Sequence, residues 1–489
     1  MKHLGYPSLY QINTRVWLRS ISNQRSNLAT LDDFPEKEIE RIAGLGFNWV
    51  WLLGVWKTGE AGRRISRTKP ELLGSYEEAL ADVTEDDICG SCFAITGYIV
   101  NPVMGGEAAL LRLRERLRVH DLRLMLDFIP NHVATDHPWV QDHPEYFISG
   151  SELDLENQIK NFGRTPKGDH VLAFGRDPYF PGWSDTFQLN YGNPDLQAAM
   201  TTELKKIAGM CDGVRCDMAM LVLPEIFERT WGIASEPFWP RAIQTVHEEL
   251  PEFLFMAEVY WDLEWTLQQQ GFDYTYDKRL YDRLRDKQAK PVREHLKAEM
   301  GFQEKLARFL ENHDEPRAAT TFPADVHKAS AVITYFTPGL RFFHQGQLEG
   351  RKKHIPVHLC RGPIEPVDAE ISLFYDKLLE ALKQPDVRDG EWQLLECQPA
   401  WDNNWTWDNF ISFAWIGEGR RIMGTVNFSP YQSQCYVQVP FPDIEGKIVR
   451  LEDLLGVAVY ERYGDDLIRR GLYLDLPPWN YHLFNVRID

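Results

Sequence analysis

The stretch EAALLRLRERLRVHDLRLMLDF (107–128) carries one repeat of the pattern that decides the fold. Over 107–120, Leu110, Leu113 and Leu117 return at helical spacing and predict an amphipathic helix. Over 122–128 the chain becomes an apolar run ending near an acid, which predicts a buried strand. Working outward, the same alternation of apolar runs and amphipathic stretches occupies the chain up to about residue 385. Strands are predicted at 9–18 (LYQINTRVWL), 47–53 (FNWVWLL), 122–128, 212–217, 253–258, 271–275, 306–311 and 340–343. A helix is predicted over 194–211, opened by Asn193 as N-cap before Pro194. Eight strand and helix pairs imply a closed (β/α)8 TIM barrel, whose chemistry sits at the C-terminal ends of its strands.

Two intervals, 54–106 and 133–192, exceed an ordinary crossover, and long loops in a compact barrel are usually functional. The second is rich in Gly, Pro, Asp and aromatics, and reads as a loop excursion after strand 3. From about residue 390 the pattern changes to short alternating runs such as FISFAWI (410–416), IMGTVNF (422–428) and CYVQVPF (435–441), with no strong helix between them. The expected organisation is a barrel in two parts, 1–132 and 193–388, the excursion 133–192, and a C-terminal antiparallel β-sandwich over 389–489.

Composition narrows the function. With 53 Lys and Arg against 72 Asp and Glu, the net charge is −19, and no segregated basic patch is visible in the 489 residues. Such a chain repels phosphate backbones and anionic lipid, so neither nucleic acid nor a membrane is an expected partner. No stretch approaches the roughly 18 apolar residues that span a bilayer, and no apolar leader follows Lys2, so a cytoplasmic location is expected. Seven cysteines argue against a disulfide framework. Cys89 and Cys92 form a lone C-x-x-C, read as small thiols in a loop because a zinc site needs a second ligand pair. Oligomeric state is not readable.

Three acids stand at the ends of predicted strands: Asp217 after the fourth, Glu258 after the fifth and Asp314 just after the seventh. On a barrel they converge over one pocket, where two carboxylates about 5–5.5 Å apart support retaining glycoside hydrolysis. At these residues the sequence resembles the α-amylase superfamily, glycoside hydrolase family 13. DFIPNH (127–132), GVRCD (213–217), AEVYW (257–261) and ENHDEPR (311–317) match its four motifs in order, and QLNYGNP (188–194) a weaker fifth.

The resemblance implies that Asp217 is the nucleophile, Glu258 the general acid/base and Asp314 a clamp on sugar hydroxyls. It implies that Arg215 orients Asp217, that His132 and His313 bind the sugar at the cleaved bond, and that Asp127 and Asn131 organise the site. Phe93, in SCFAITGY (91–98), falls where the family usually has a stacking Tyr, Ala94 replaces the usual Asp beside it, and Gln188 replaces another. Met220 and Leu221 stand where endo-acting members often carry Lys and His. If these two face the leaving group, they favour short α-glucosides over internal bonds of starch; the alternative is that they pack beneath the loop. Tyr179, Phe180 and Trp183 of the excursion are placed to close one end of the cleft.

No cofactor is called for. Calcium has one matched donor, Asn131, with Asp185 as a distant acid, against the six to eight oxygens it takes. The expected activity is retaining hydrolysis of α-glucosidic bonds in short oligosaccharides or small glucosides, the substrate being a carbohydrate. A transglucosidase or glycoside phosphorylase shares the intermediate, and a non-catalytic sugar-binding protein shares the fold.

Overall fold

The computed structural model describes residues 5–25, 27–417 and 420–488. Eight parallel strands close the barrel: β1 (Ser8–Asn13), β2 (Trp49–Leu53), β3 (Arg123–Phe128), β4 (Gly213–Cys216), β5 (Leu254–Ala257), β6 (Tyr274–Tyr276), β7 (Leu306–Arg308) and β8 (Leu340–His344). Each falls within or beside its predicted run. The first run extends to residue 18 in the sequence pattern, yet the strand stops at Asn13. The Asn13 side chain accepts the Val16 N–H at 3.3 Å and so caps the helix Thr14–Gln24. The predicted helices form as Gly106–Val119, with Leu110, Leu113 and Leu117 buried, and Pro194–Met210, with Asn193 accepting the Asp195 N–H at 2.9 Å.

Strand register sets up the site. Arg215 on β4 lies opposite Asp127 on β3 and Met256 on β5, and Cys216 lies opposite Ala257. The next rung therefore brings Asp217 beside Glu258. Side chains alternate along a strand, so Arg215 and Asp217 share the inward face.

Both long intervals are built, not loose. After β2, Trp56–Thr58 pairs antiparallel with Ile95–Val100, and the helices Glu60–Thr68 and Pro70–Ala79 lie between them. After β3, the segment read as a loop excursion contains an antiparallel sheet in the order His132–Ala134, Trp183–Gln188, Val171–Gly175, Phe162–Arg164. Its strands are three to six residues long, too short to stand out by pattern alone.

Toward the C-terminus, a six-stranded and a three-stranded antiparallel sheet bury Met423 and Phe484 of one against Val437 and Leu474 of the other. A short helix, Gly464–Arg470, interrupts the strands where no strong helix is expected from the sequence. The indole of Trp415 donates to the Phe336 carbonyl at 2.8 Å and ties this β structure to the barrel. Among the described residues no helix is long and apolar enough to cross a membrane.

Candidate active site

Arg215 is the hub. Its side chain is wholly buried, with its guanidinium against the rings of Trp51 (5.3 Å), Phe93 (5.2 Å) and Tyr276 (5.8 Å). One fork nitrogen donates to Asp217 Oδ1 at 2.6 Å, and the other lies 2.7 Å from Glu258 Oε2 at an angle too bent for a hydrogen bond. Asp127 Oδ1 stands 3.7 Å away, while Asp127 Oδ2 accepts the Gly54 N–H at 3.2 Å. One cation thus faces three buried carboxyls.

The loop after β4 turns at once. Met218 adopts φ 43°, a left-handed conformation that costs a side-chain-bearing residue roughly 1–3 kcal/mol. The turn aims the Met218 N–H at Glu258 Oε2, 2.7 Å away. The Tyr260 hydroxyl donates to Glu258 Oε1 at 2.9 Å. After Tyr260, Trp261 and Asp262 are also left-handed, at φ 63° and 65°.

The Asp314 side chain is 42 % exposed, 3.1 Å from His313 Nε2. His313 Nδ1 is held by Gln11 Nε2 at 2.8 Å, and its carbonyl accepts from His354 Nε2 at 2.8 Å. His132 packs on Trp183, and Phe93 on His313.

Electrostatics follow from this crowding. Burial pushes the Glu258 carboxyl up to about 7, with Asp217 and Asp314 adding to the rise and Arg215 opposing it. Burial also raises Asp127 to about 7, against the pull of Arg215. Asp217 is raised too, but it owns the direct Arg215 hydrogen bond, which favours its ionised form. Asp314 is pushed upward by its surroundings, a push that water at its exposed side softens. Burial lowers His132 to about 4 and takes His313 well below its ordinary range, so both rings are neutral near pH 7. Asp127 Oδ1, Arg215 Nη2 and His313 Nε2 are buried without a hydrogen-bond partner. Unpaired buried polar atoms are rare in folded proteins, and three converge here.

Of the residues picked from the sequence, Asp217, Glu258, Asp314, Arg215, Asp127, His313 and Phe93 lie in this cluster, His132 opens the small sheet and Asn131 directly precedes it. Met220 and Leu221 do not face the leaving group. They are 0 % and 3 % exposed, within the short 3-10 turn Ala219–Val222 packed in the core. The residue next to Asp217 that stays partly exposed is Met218. Sequence reasoning missed Tyr260, Gln11 and His354. Tyr260 had a signal, being two residues past Glu258 as Asp217 is two past Arg215; Gln11 and His354 had none.

The Asn131 oxygen, the one calcium donor matched in the sequence, accepts the Gln188 side-chain N–H at 2.9 Å. Among the described residues no group of three His, Cys, Asp or Glu side chains is placed to hold a metal.

A family model described as alpha amylase, catalytic domain, matches residues 38–358. The chain belongs to the alpha-amylase family. Alpha-amylase 3 of Dictyoglomus thermophilum is 23% identical over 298 residues, covering 55% of this chain and 56% of that protein. The intracellular maltogenic amylase of Bacillus subtilis is 23% identical over 348 residues, 65% of this chain and 53% of that one. The alpha-1,4-glucan:maltose-1-phosphate maltosyltransferase of Salinibacter ruber is 29% identical over 170 residues, 32% and 23%. This alpha-amylase family chain thus spans about half the length, or less, of these curated relatives. In fold it is similar to a noncanonic maltogenic alpha-amylase, AmyB, from Thermotoga neapolitana, with TM-score 0.71, 20% identity and both chains covered in full.

Proposed function

We propose that this alpha-amylase family chain is a retaining glycosidase acting on α-glucosidic bonds of short oligosaccharides or small glucosides. The observation that carries the reading is the single Arg215 fork between Asp217 and Glu258, which holds the two carboxyls close. Retention needs them about 5–5.5 Å apart, and inversion about 6.5–9.5 Å. Asp217, ionised by Arg215, attacks the anomeric carbon. Glu258, protonated below about pH 7, gives its proton to the departing oxygen. Asp314 and the neutral His313 and His132 take sugar hydroxyls, and Phe93 offers a flat apolar face. In the second half Glu258 takes a proton from the incoming hydroxyl, which displaces Asp217.

That hydroxyl belongs to water or to a second sugar. Family members named both as amylases and as a maltosyltransferase match the chain, so transfer is the second reading. The short-substrate part of the reading leans on the aromatic excursion, where the ring of Tyr179 meets Trp261, three residues past Glu258, edge-on at 5.0 Å. Catalysis without calcium is part of this reading, as is a cytoplasmic location, in keeping with seven unpaired cysteines.

The test is proton NMR of products from a panel of α-glucosides, malto-oligosaccharides and starch. An α-anomer appearing first, from di- and trisaccharides faster than from starch, supports the reading. A β-anomer appearing first refutes retention, rapid internal cleavage of starch refutes the short substrate, and new glycosides without reducing sugar establish transfer.

A further inference from the structure

The C-x-x-C motif does not act as a pair. Cys92 is buried in the barrel core beside Gly54, whereas Cys89 is half-buried and faces a different partner. An isolated antiparallel bridge joins Ile88 to Leu359, and on either side of it the Cys89 N–H donates to the His358 carbonyl at 2.8 Å and the Cys360 N–H to the Asp87 carbonyl at 2.9 Å. This bridge brings the Cys89 and Cys360 side chains to the same face, diagonal to one another, where both line one surface cavity. Two segments far apart in sequence, the excursion after β2 and the loop after β8, meet there. The first carries Phe93 and the second His354, both of which reach the active site.

Cys89 also has the environment of a nucleophile. Arg15 Nη1 lies 3.2 Å from its sulfur, anchored by the Gly90 carbonyl at 2.7 Å. Cys89 and Cys360 line a surface cavity of about 480 Å³ with Arg15, Arg19, Lys57 and Arg63, against Glu60 and Asp86. On a chain of net charge −19 this is a local excess of positive charge. Such surroundings favour a thiolate and attract an anionic reagent.

We propose that Cys89 and Cys360 form a thiol–disulfide exchange site for an anionic low-molecular-weight disulfide, with Cys89 as nucleophile and Cys360 as resolving thiol. The Cys89 thiolate attacks one sulfur of the disulfide RSSR, forming Cys89–S–S–R and expelling RS⁻. Cys360 then loses its proton to solvent and attacks the Cys89 sulfur, expelling the second RS⁻. Two protein thiols are oxidised by two electrons, and the incoming disulfide is reduced to two thiols. The product staples the Phe93 segment to the His354 segment. The hydrogen bond from Cys360, then the charge of Arg15, outweigh burial and bring the Cys89 thiol down to about 6, while Cys360 is raised.

The test uses the reduced full chain, oxidised glutathione as probe, acid quenching and peptide mapping by mass spectrometry. Wild type should yield a Cys89–Cys360 cross-link that dithiothreitol reverses. Cys360→Ser, which keeps a hydrogen-bond donor, should stop at a glutathione adduct on Cys89, and Cys89→Ser should leave Cys360 unmodified. Adducts spread evenly over the cysteines, or none on Cys89 in a natively folded Cys360→Ser protein, overturn the proposal. A wild type that retains glutathione on Cys89 without cross-linking overturns the role of Cys360. Should either variant fail to fold, limiting iodoacetamide on wild type decides: Cys89 should label at least about tenfold faster than Cys360 or Cys397, and equal rates overturn the assignment.

Discussion

Two buried guanidinium clusters sit in the same barrel, and they are built on opposite plans. Around Arg308 at the end of β7, Asp277 is the lone carboxylate in contact among the described residues. It contacts Arg308, lies 3.0 Å from His295 Nε2 and accepts the Leu280 N–H at 3.0 Å, capping the helix Lys278–Arg285. Arg308 further donates to the Pro338 carbonyl at 3.0 Å and to Gln303. Both His295 and Arg308 draw the Asp277 carboxyl far below the ordinary range despite its burial. Around Arg215 three carboxyls share one cation, two of them rise to about 7, and buried polar atoms go unpaired. The balanced cluster has nothing left to offer a ligand. The unbalanced one is held together at a cost, and a substrate hydroxyl or a developing positive charge relieves it.

The sharpest break of this comparison is Asp217→Ala. The expected loss in kcat is several powers of ten, on the order of 10⁴, with the melting temperature and sugar binding retained. A variant keeping more than a tenth of the wild-type rate would remove Asp217 from its role. Glu258→Gln comes next. Wild-type activity should fall as pH rises past about 7, where Glu258 loses its proton. In the variant the rate should drop by orders of magnitude and this basic limb should vanish; an unchanged limb assigns the acid elsewhere.

Asp277→Asn inverts the pattern: stability falls and chemistry does not. Removing one partner of a buried ion pair costs about 3–5 kcal/mol, to be read in denaturant unfolding, while the folded variant keeps its kcat. Because the folded carboxyl is depressed, its contribution is fully present above the unfolded value of about 4 and fades as pH falls below it. The gap between wild type and variant should close in acid, and a gap that is constant with pH would contradict the ion-pair account. Met220→Ala should cost about 2–5 kcal/mol as a cavity in the core, with the ranking of substrates unchanged; an altered preference would put Met220 back in the cleft. The smallest effect expected is that of EDTA, which should leave most activity in place. Loss on chelation, restored by added calcium, would show a metal that the Asn131 and Gln188 pair does not accommodate.

Much of this is legible in the order of residues, because a barrel strand buried on both faces must be apolar along its length and the helices around it must carry a stripe. Leu110, Leu113 and Leu117, the cap at Asn193 and the eight strand runs are local facts of that kind. So is the i, i+2 spacing of Arg215 and Asp217, which puts both on one face. The small sheet after His132 is hidden because its strands are too short to show a period. Met220 and Leu221 stand at the right place in the chain but on the wrong side of a turn, since the left-handed Met218 rotates both side chains into the core.

Asp217 and Asp277 mark the division most clearly, for each is an acid at the end of a barrel strand. Strand alternation, set by the neighbouring strands' register, sends Asp217 inward to Arg215 and Asp277 outward to His295. The meeting of the Cys89 segment with the Cys360 segment, 271 positions away, is decided in the same way. Hydrophobic period and motif spacing are properties of the chain alone. Which charges share a dielectric, and which thiols meet, depends on contacts between segments whose separation along the chain carries no information about their separation in space.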